Sequence, residues 1–217
     1  MKSYVIFDLD GTLLNTIDDL ANATNHALRT LGYPTHGLWV YPNMVGNGVG
    51  KLIERALPDD SRDERTVNAA LAAFKEYYND HCCDATTPYP GIPELLEDLS
   101  ARGVNLAVAS NKYEEAVGRL IAHYFPVANF RAILGSREGV PRKPDPSIVF
   151  RALSICPTPK NEVLYVGDSG VDIETARRAC VESVGVTWGF RPITELKDAY
   201  ADHIISTPSQ LIDLTLK

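Results

Sequence analysis

Positive charge is in short supply in this 217-residue chain: 21 lysines and arginines stand against 28 aspartates and glutamates, a net charge of −7. That balance argues against a general nucleic-acid surface, although one local basic residue can still hold a single phosphate inside an acidic protein. Long apolar runs are missing too. None approaches the roughly 20 residues that span a bilayer, and the N-terminus runs straight into an apolar strand, without the charged segment and cleavage site of a signal peptide. The expected setting is the cytoplasm, with no membrane and no nucleic-acid partner. C-x-x-C spacing is absent from the set Cys82, Cys83, Cys156 and Cys180, which removes the common zinc frameworks. His81-Cys82-Cys83 has no second ligand pair, and adjacent helical side chains diverge, so free thiols in a reducing compartment are expected. Internal repeats and low-complexity tracts are lacking as well.

What the chain does have is an ordinary globular composition, 45% hydrophobic and 23% charged, and enough length to bury a full core. Its first informative stretch, Tyr4-Val5-Ile6-Phe7, is apolar and rich in β-branched and aromatic residues, and reads as a buried strand. It runs into Asp8-Leu9-Asp10-Gly11-Thr12-Leu13. Carboxylates leaving a buried strand must be paired, hydrogen-bonded or metal-bound, and two so close repel unless a cation or proton is shared. From 15 to about 85 the periodicity is helical, over 15–32, 49–57 and 64–80, with a turn-rich stretch at 33–48 and no strand candidate. Pro88, Pro90 and Pro93 then stiffen the chain and start a helix at 92–102. Strands at 104–109, 132–134, 163–166, 183–187 and 203–205 follow, alternating with helices at 113–124, 146–155, 171–180 and 208–216. The pattern predicts an α/β fold, a doubly wound parallel sheet with helices on both faces and a helical block inserted after its first strand.

Ligands of such sheets bind at the carboxyl ends of strands. The first strand delivers Asp8 and Asp10 there, the second Ser110, Asn111 and Lys112, and the strand at 163–166 delivers Gly167-Asp168-Ser169-Gly170 with Asp172. Arg142-Lys143-Pro144-Asp145-Pro146 supplies a rigidly held lysine before a helix. Together these make a set for phosphoryl transfer. A hard cation takes oxygen ligands, which Asp8, Asp10 and Asp168 could supply. Asp8 is the candidate nucleophile, forming an aspartyl-phosphate. Asp10 is the candidate general acid and base. Lys143 would neutralise charge growing on the phosphoryl oxygens and keep Asp8 ionised, and the Ser110 hydroxyl would grip those oxygens. Asp8 and Asp10 are expected to face opposite sides, with different roles. Asp172 reads either as an acid close to the metal or as a first-turn acid favoured by the helix dipole. Each segment alone also fits an ordinary turn or helix cap; their joint occurrence in this order does not.

These residues resemble the haloacid dehalogenase superfamily of phosphatases. Asp8-Leu9-Asp10-Gly11-Thr12 is similar to the first motif of that family, Ser110 to the second, Lys143 to the third, and Gly167-Asp168-Ser169 with Asp172 to the fourth. The resemblance spans essentially the whole chain. It implies a Rossmann-like core, residues 1–14 and 88–217, an all-helical cap at 15–87 that closes over the site, and dependence on Mg2+, with Asp10 bound to the metal through its main-chain carbonyl. The substrate residues expected are Thr12, Ser110, Asn111 and Lys143 from the core and, in a cap loop, Asn47 and Gly48. Val45-Gly46-Asn47-Gly48, Pro88-Tyr89-Pro90-Gly91 and Trp188-Gly189-Phe190-Arg191 resemble the phosphoglycolate phosphatase subgroup most closely. Asn15, where many relatives have Asp, and Cys180, where many have Gly, depart from it, and His81-Cys82-Cys83 matches no subgroup.

The partner implied is a small phosphorylated metabolite, acted on by a monomer or homodimer. A sugar phosphatase, a pyrophosphatase or a β-phosphoglucomutase-like enzyme would carry the same core motifs. A true dehalogenase would need no metal and leave Asp10 without a role. A response-regulator receiver places its nucleophile on a later strand and needs no inserted block. An inactive homologue would have been free to lose Asp8, Asp10, Lys143 and Asp168.

Overall fold

The computed structural model describes residues 1–216; Lys217, the last residue of the expected core, lies outside them. In chain order the elements are β1 (Tyr4–Phe7), β2 (Leu14–Asn15), α1 (Ile17–Thr30), α2 (Tyr41–Met44), α3 (Val49–Ala56), α4 (Glu64–His81), β3 (Thr87–Pro88), α5 (Ile92–Ala101), β4 (Asn105–Tyr113), α6 (Glu114–Tyr124), β5 (Phe130–Ser136), α7 (Ser147–Ile155), β6 (Val163–Gly167), α8 (Gly170–Ala179), β7 (Glu182–Val186), α9 (Ile193–Asp198), β8 (His203–Ile205) and α10 (Gln210–Thr215). They form two compact units: Met1–Asn15 with the chain from Pro88 onward, and Thr16–Thr87. No helix among the described residues is long and apolar enough to cross a membrane.

The first unit is built on a six-stranded sheet in the order β5-β4-β1-β6-β7-β8, with every neighbouring pair parallel. Alternate side chains explain its two covered faces. Tyr4 and Ile6 of β1, Ala107 and Ala109 of β4, Ala132 and Leu134 of β5, and Val163 and Tyr165 of β6 pack as one cluster with α7 and α8. Their neighbours Val5, Phe7, Leu106, Val108, Leu164 and Val166 face the other way and are equally buried. Strand order reverses at β1: the chain moves outward through β4 and β5, then returns past β1 to β6, β7 and β8. A sheet that reverses in this way opens a crevice at the carboxyl ends of its central strands. Phe7 is in register with Val108 of β4 and Val166 of β6, so the residues following all three strands emerge side by side.

Three expectations need correction. The second strand was expected to stop at 109, where the apolar run ends, but β4 continues to Tyr113. Ser110, Asn111 and Lys112 stay extended and buried because each finds polar partners, and the register with β5 shifts between Ala109 and Tyr113. The expectation that Asp8 and Asp10 face opposite sides has no basis in strand alternation, since residues two apart in a strand share a face, and β1 in any case ends at Phe7. Asp10 belongs to a tight turn in which the Leu9 carbonyl accepts from the N–H groups of Thr12, Leu13 and Leu14. α9, in a stretch where no element was expected, is a six-residue helix with Leu196 as its buried anchor.

The second unit is built from helices, with only its last residue, Thr87, in a strand. α1 buries Ile17, Leu20, Ala21, Ala23, Thr24, Ala27 and Leu28, and α4 presents Ala70, Phe74 and Tyr78 as its buried side. α4 starts at Asp63, whose carboxylate caps the Thr66 N–H at 3.1 Å. Asp19 is a buried charge with a full set of donors: the N–H groups of Ala85 and Thr86 and the Thr86 hydroxyl all point at its carboxylate, at 2.7–3.1 Å. Removing such an acceptor strands several buried donors at once. The stretch at 33–48 contains α2 as well as turns, and in the loop after it Arg55 donates to the Met44 carbonyl and to Asn47 Oδ1, both at 2.7 Å.

Candidate active site

The reversal of strand order brings three carboxylates and one ammonium together in the first unit. Asp8 follows β1, Asp168 follows β6, and Asp172 sits in the first turn of α8; one oxygen from each lies within 4.8 Å of the others, and all three residues are buried. Lys143 Nζ is 2.9 Å from Asp8 Oδ1 and 2.7 Å from Asp172 Oδ1. The ammonium also stands 5.7 Å from the centre of the Tyr165 ring, whose hydroxyl donates to the Ala109 carbonyl at 3.1 Å.

Local structure fixes each member. Ser169 and Asp172 form a capping box at the start of α8, with the Ser169 hydroxyl and N–H both directed at Asp172 Oδ2, at 2.6 and 3.2 Å. Asp172 is thus both of the things its sequence position suggested, a first-turn acid and a member of the cluster. Lys143 is held through its backbone: its N–H donates to Asn111 Oδ1 at 2.9 Å, and Asn111 Nδ2 donates to its carbonyl at 3.2 Å. Asp168 Oδ2 accepts the Phe190 N–H at 2.7 Å. The loop after β7 approaches so closely that a Cβ on Gly189 would lie 2.3 Å from Asp168 Cβ, and one on Gly167 would lie 2.3 Å from Asp172 Cγ. Only glycine fits at either place.

Three buried acids against one ammonium is an arrangement short of positive charge. Burial pushes the Asp8 carboxyl up to about 7, with Lys143 pulling against it and Asp172 and Asp10 adding to it. Burial, then Asp172 and Asp8, likewise hold Asp168 well above the usual carboxylate range, against the Phe190 N–H. Burial alone would lower the Lys143 ammonium, but Asp172 and Asp8 outweigh it and hold its pKa well above the ordinary lysine value. Asp8 Oδ1 is buried and receives no well-directed hydrogen bond. An all-oxygen donor set with surplus negative charge fits a hard divalent cation.

Asp10 stands apart from this cluster. Its carboxylate accepts from Lys112 Nζ at 2.9 Å through Oδ1 and 3.2 Å through Oδ2. The Ser110 hydroxyl accepts from the Lys112 N–H at 3.2 Å. Thr12 is fully buried, with its carbonyl taken by the Trp188 indole N–H at 3.0 Å, so the structure gives it a place in the turn rather than an open face. Asn47 and Gly48 lie in the helical unit, in the loop between α2 and α3 where Gly46 and Gly48 have φ of 109° and 83°.

A family model described as haloacid dehalogenase-like hydrolase matches residues 5–186, most of the chain. The chain belongs to the haloacid dehalogenase-like hydrolases. Among curated relatives of this hydrolase, the phosphoglycolate phosphatase of Aquifex aeolicus is 34% identical over 214 residues, covering 97% of this chain and 95% of its own. That of Pseudomonas syringae pv. tomato is 36% identical over 206 residues, covering 90% and 74%. A crystal structure from Lactobacillus delbrueckii subsp. bulgaricus, described as a candidate phosphoglycolate phosphatase, superposes with a TM-score of 0.92 at 34% identity, covering 99% of both chains.

Of the side chains expected at the hydrolase's site, the structure gathers Asp8, Lys143 and Asp168, with Ser110 and Asn111 on the adjoining end of β4. It adds Asp172 to the acid cluster in the place expected for the Asp10 carboxylate. The sequence places Lys112 at the strand end beside Ser110 and Asn111 but assigns it no role; in the structure it pairs with Asp10. A lysine following an asparagine reads as a surface residue, and nothing in its spacing announces that it is buried.

Proposed function

We propose that this hydrolase cleaves a small phosphomonoester, 2-phosphoglycolate first among them, through an aspartyl-phosphate on Asp8. The observation that carries the reading is the Asp8 carboxylate at the sheet's reversal point, 2.9 Å from a buried lysine and grouped with two further acids. Asp8 attacks phosphorus; the bond to the ester oxygen breaks as the bond to the carboxylate forms. Asp10 protonates the departing alkoxide and later takes a proton from the water that cleaves the acyl phosphate. Lys143 faces the phosphoryl oxygens as a fixed positive charge, and the Ser110 hydroxyl positions them. Asn111 acts by holding Lys143.

The cation is read as Mg2+. Asp8 and Asp168 would hold it with Asp172 beside them, and Asp10 would contribute through its main-chain carbonyl, as in the family it resembles. When bound, the ion supplies positive charge to the phosphoryl oxygens and helps align them for displacement. Residues 15–87 are read as the cap, with Asn47 and Gly48 in the loop that chooses among esters, and Arg55 fixing the Asn47 side chain in that loop. The names of the curated relatives favour phosphoglycolate over other esters.

The test is a turnover panel in Mg2+ with 2-phosphoglycolate, sugar phosphates, nucleoside monophosphates and pyrophosphate, repeated with a chelator. The highest kcat/KM is expected for 2-phosphoglycolate, with activity lost on chelation. Asp8→Asn is expected to be folded by circular dichroism and inactive. Near-normal turnover by that variant would remove Asp8 as nucleophile, and a preference for another ester would change the substrate while leaving the chemistry in place.

A further inference from the structure

Two acids two positions apart each have a lysine of their own. Lys143 stands at Asp8, and Lys112 stands at Asp10. The second pair is the less expected. The Lys112 side chain is 4% exposed and that of Asp10 13% exposed, and the ammonium reaches both carboxylate oxygens. Taking a lysine and its stem out of water is costly and gives little net stability where an apolar residue would pack as well. Lys112 is reached through the irregular extension of β4, which turns residues 110–112 away from regular pairing with β5. The same extension sets the Ser110 hydroxyl against the Lys112 N–H, so one short segment presents a hydroxyl and an ammonium from adjoining positions.

We propose that Lys112 is the positioning residue for Asp10 as proton donor to the leaving group, an inference that rests on the phosphatase reading above. The proton moves from the Asp10 carboxyl to the ester oxygen as its bond to phosphorus breaks, and negative charge appears on the carboxylate. Lys112 is already aimed at the place where that charge develops, with no reorganisation required. When water later attacks the acyl phosphate, its proton returns to the same carboxylate and the pair is reset. Lys112 touches neither the substrate nor Asp8 in this scheme. Its contribution passes entirely through Asp10.

That route has a signature a structural ion pair lacks. Proton donation matters for an alkoxide, which leaves poorly without a proton, and matters little for p-nitrophenolate, which leaves unaided. The experiment measures kcat and KM for 2-phosphoglycolate and for p-nitrophenyl phosphate in the full-length protein with Mg2+. The variants are Lys112→Met, Lys112→Arg, Asp10→Asn and the double variant Lys112→Met with Asp10→Asn. For Lys112→Met the ratio of the two kcat/KM values, which reports formation of the aspartyl-phosphate and not its shared hydrolysis, is expected to shift against 2-phosphoglycolate by about tenfold or more, within the range that general acid catalysis contributes. Lys112→Arg is expected to recover most of that ratio, and the double variant to fall no further than Asp10→Asn alone. A ratio of rates on one preparation does not depend on how much of it is folded, so a destabilised variant still reports. Equal losses on both esters, additivity with Asp10→Asn, or a rise in KM for 2-phosphoglycolate at unchanged kcat would each overturn the proposal, the last by making Lys112 a contact for the substrate's carboxylate. Failure of the unaltered protein to cleave either ester would instead bring down the phosphatase reading, and this role with it.

Discussion

The Asn111 side chain accepts from the Lys143 N–H and donates to the Lys143 carbonyl, closing a two-bond clasp around the backbone of the lysine that faces Asp8. Asn111→Ala would leave both backbone groups without these buried partners, at a cost of about 1–3 kcal/mol for an unsatisfied group. Lys143 would then be free to shift, and displacement of a catalytic group by about 1 Å can cost on the order of a hundredfold in rate. The expected outcome is a kcat lowered by roughly ten- to a hundredfold, KM little changed and a reduced melting temperature, read from steady-state kinetics and a thermal scan. Wild-type kcat with a lowered melting temperature would limit Asn111 to the fold. At this scale legibility in the sequence followed chemistry. Asp8, Lys143 and Asp168 were readable because an acid after a buried strand, or a lysine between prolines, demands a reason. Asn111 was legible only as a substrate contact and Lys112 only as a residue at the same strand end; their partners in the structure, the Lys143 backbone and the Asp10 carboxylate, lie far along the chain, where no local spacing points to them.

Elements with an apolar core face were legible from periodicity alone, which is why β1, β4 and β6 and the helices between them fell within a few residues of expectation. The exceptions are elements with little apolar content to announce them. α9 offers one buried side chain, Leu196, in six residues, and the end of β4 is held by polar contacts. Cys180 is a departure whose physical meaning lies at this scale. It ends α8 in the left-handed conformation, φ 58° and ψ 44°, the place where helices most often carry glycine. A side chain there costs about 1–2 kcal/mol, and the exposed thiol has little packing to lose. Cys180→Gly is therefore expected to stabilise the protein by about 1 kcal/mol, less the entropy glycine adds to the unfolded chain, raising the melting temperature by roughly 2–4 °C. A lower melting temperature in that variant would mean that the cysteine side chain contributes more through its contacts than its backbone geometry costs.

For the whole molecule, the acid cluster couples stability to pH and to metal in one direction. The Asp8 carboxyl is pushed up to about 7 in the folded chain, whereas an unfolded aspartate titrates near about 3.9. Between those values the folded state keeps a proton that the unfolded state has released, so stability falls as pH rises through the window. Asp168, raised by burial and by the same neighbouring acids, acts in the same sense. Lys143 is raised instead, so its contribution is complete throughout this window and is lost only in strong alkali. A divalent cation binds the deprotonated carboxylates and takes the place of the proton, so its affinity rises with pH. Metal-free protein should thus lose stability from pH 5 to pH 8 through these groups, and Mg2+ should restore it most at pH 8. At about 100 times its dissociation constant the ion adds roughly 2.7 kcal/mol, or about 5–10 °C in melting temperature for a chain of this size, with a clearly smaller gain at pH 5. Thermal scans at the two pH values, with chelator and with Mg2+, measure the four points. Asp8→Asn should flatten the dependence by removing one of the two titrating acids. An Mg2+ gain that is the same at pH 5 and pH 8 would mean that these acids are not where the cation binds.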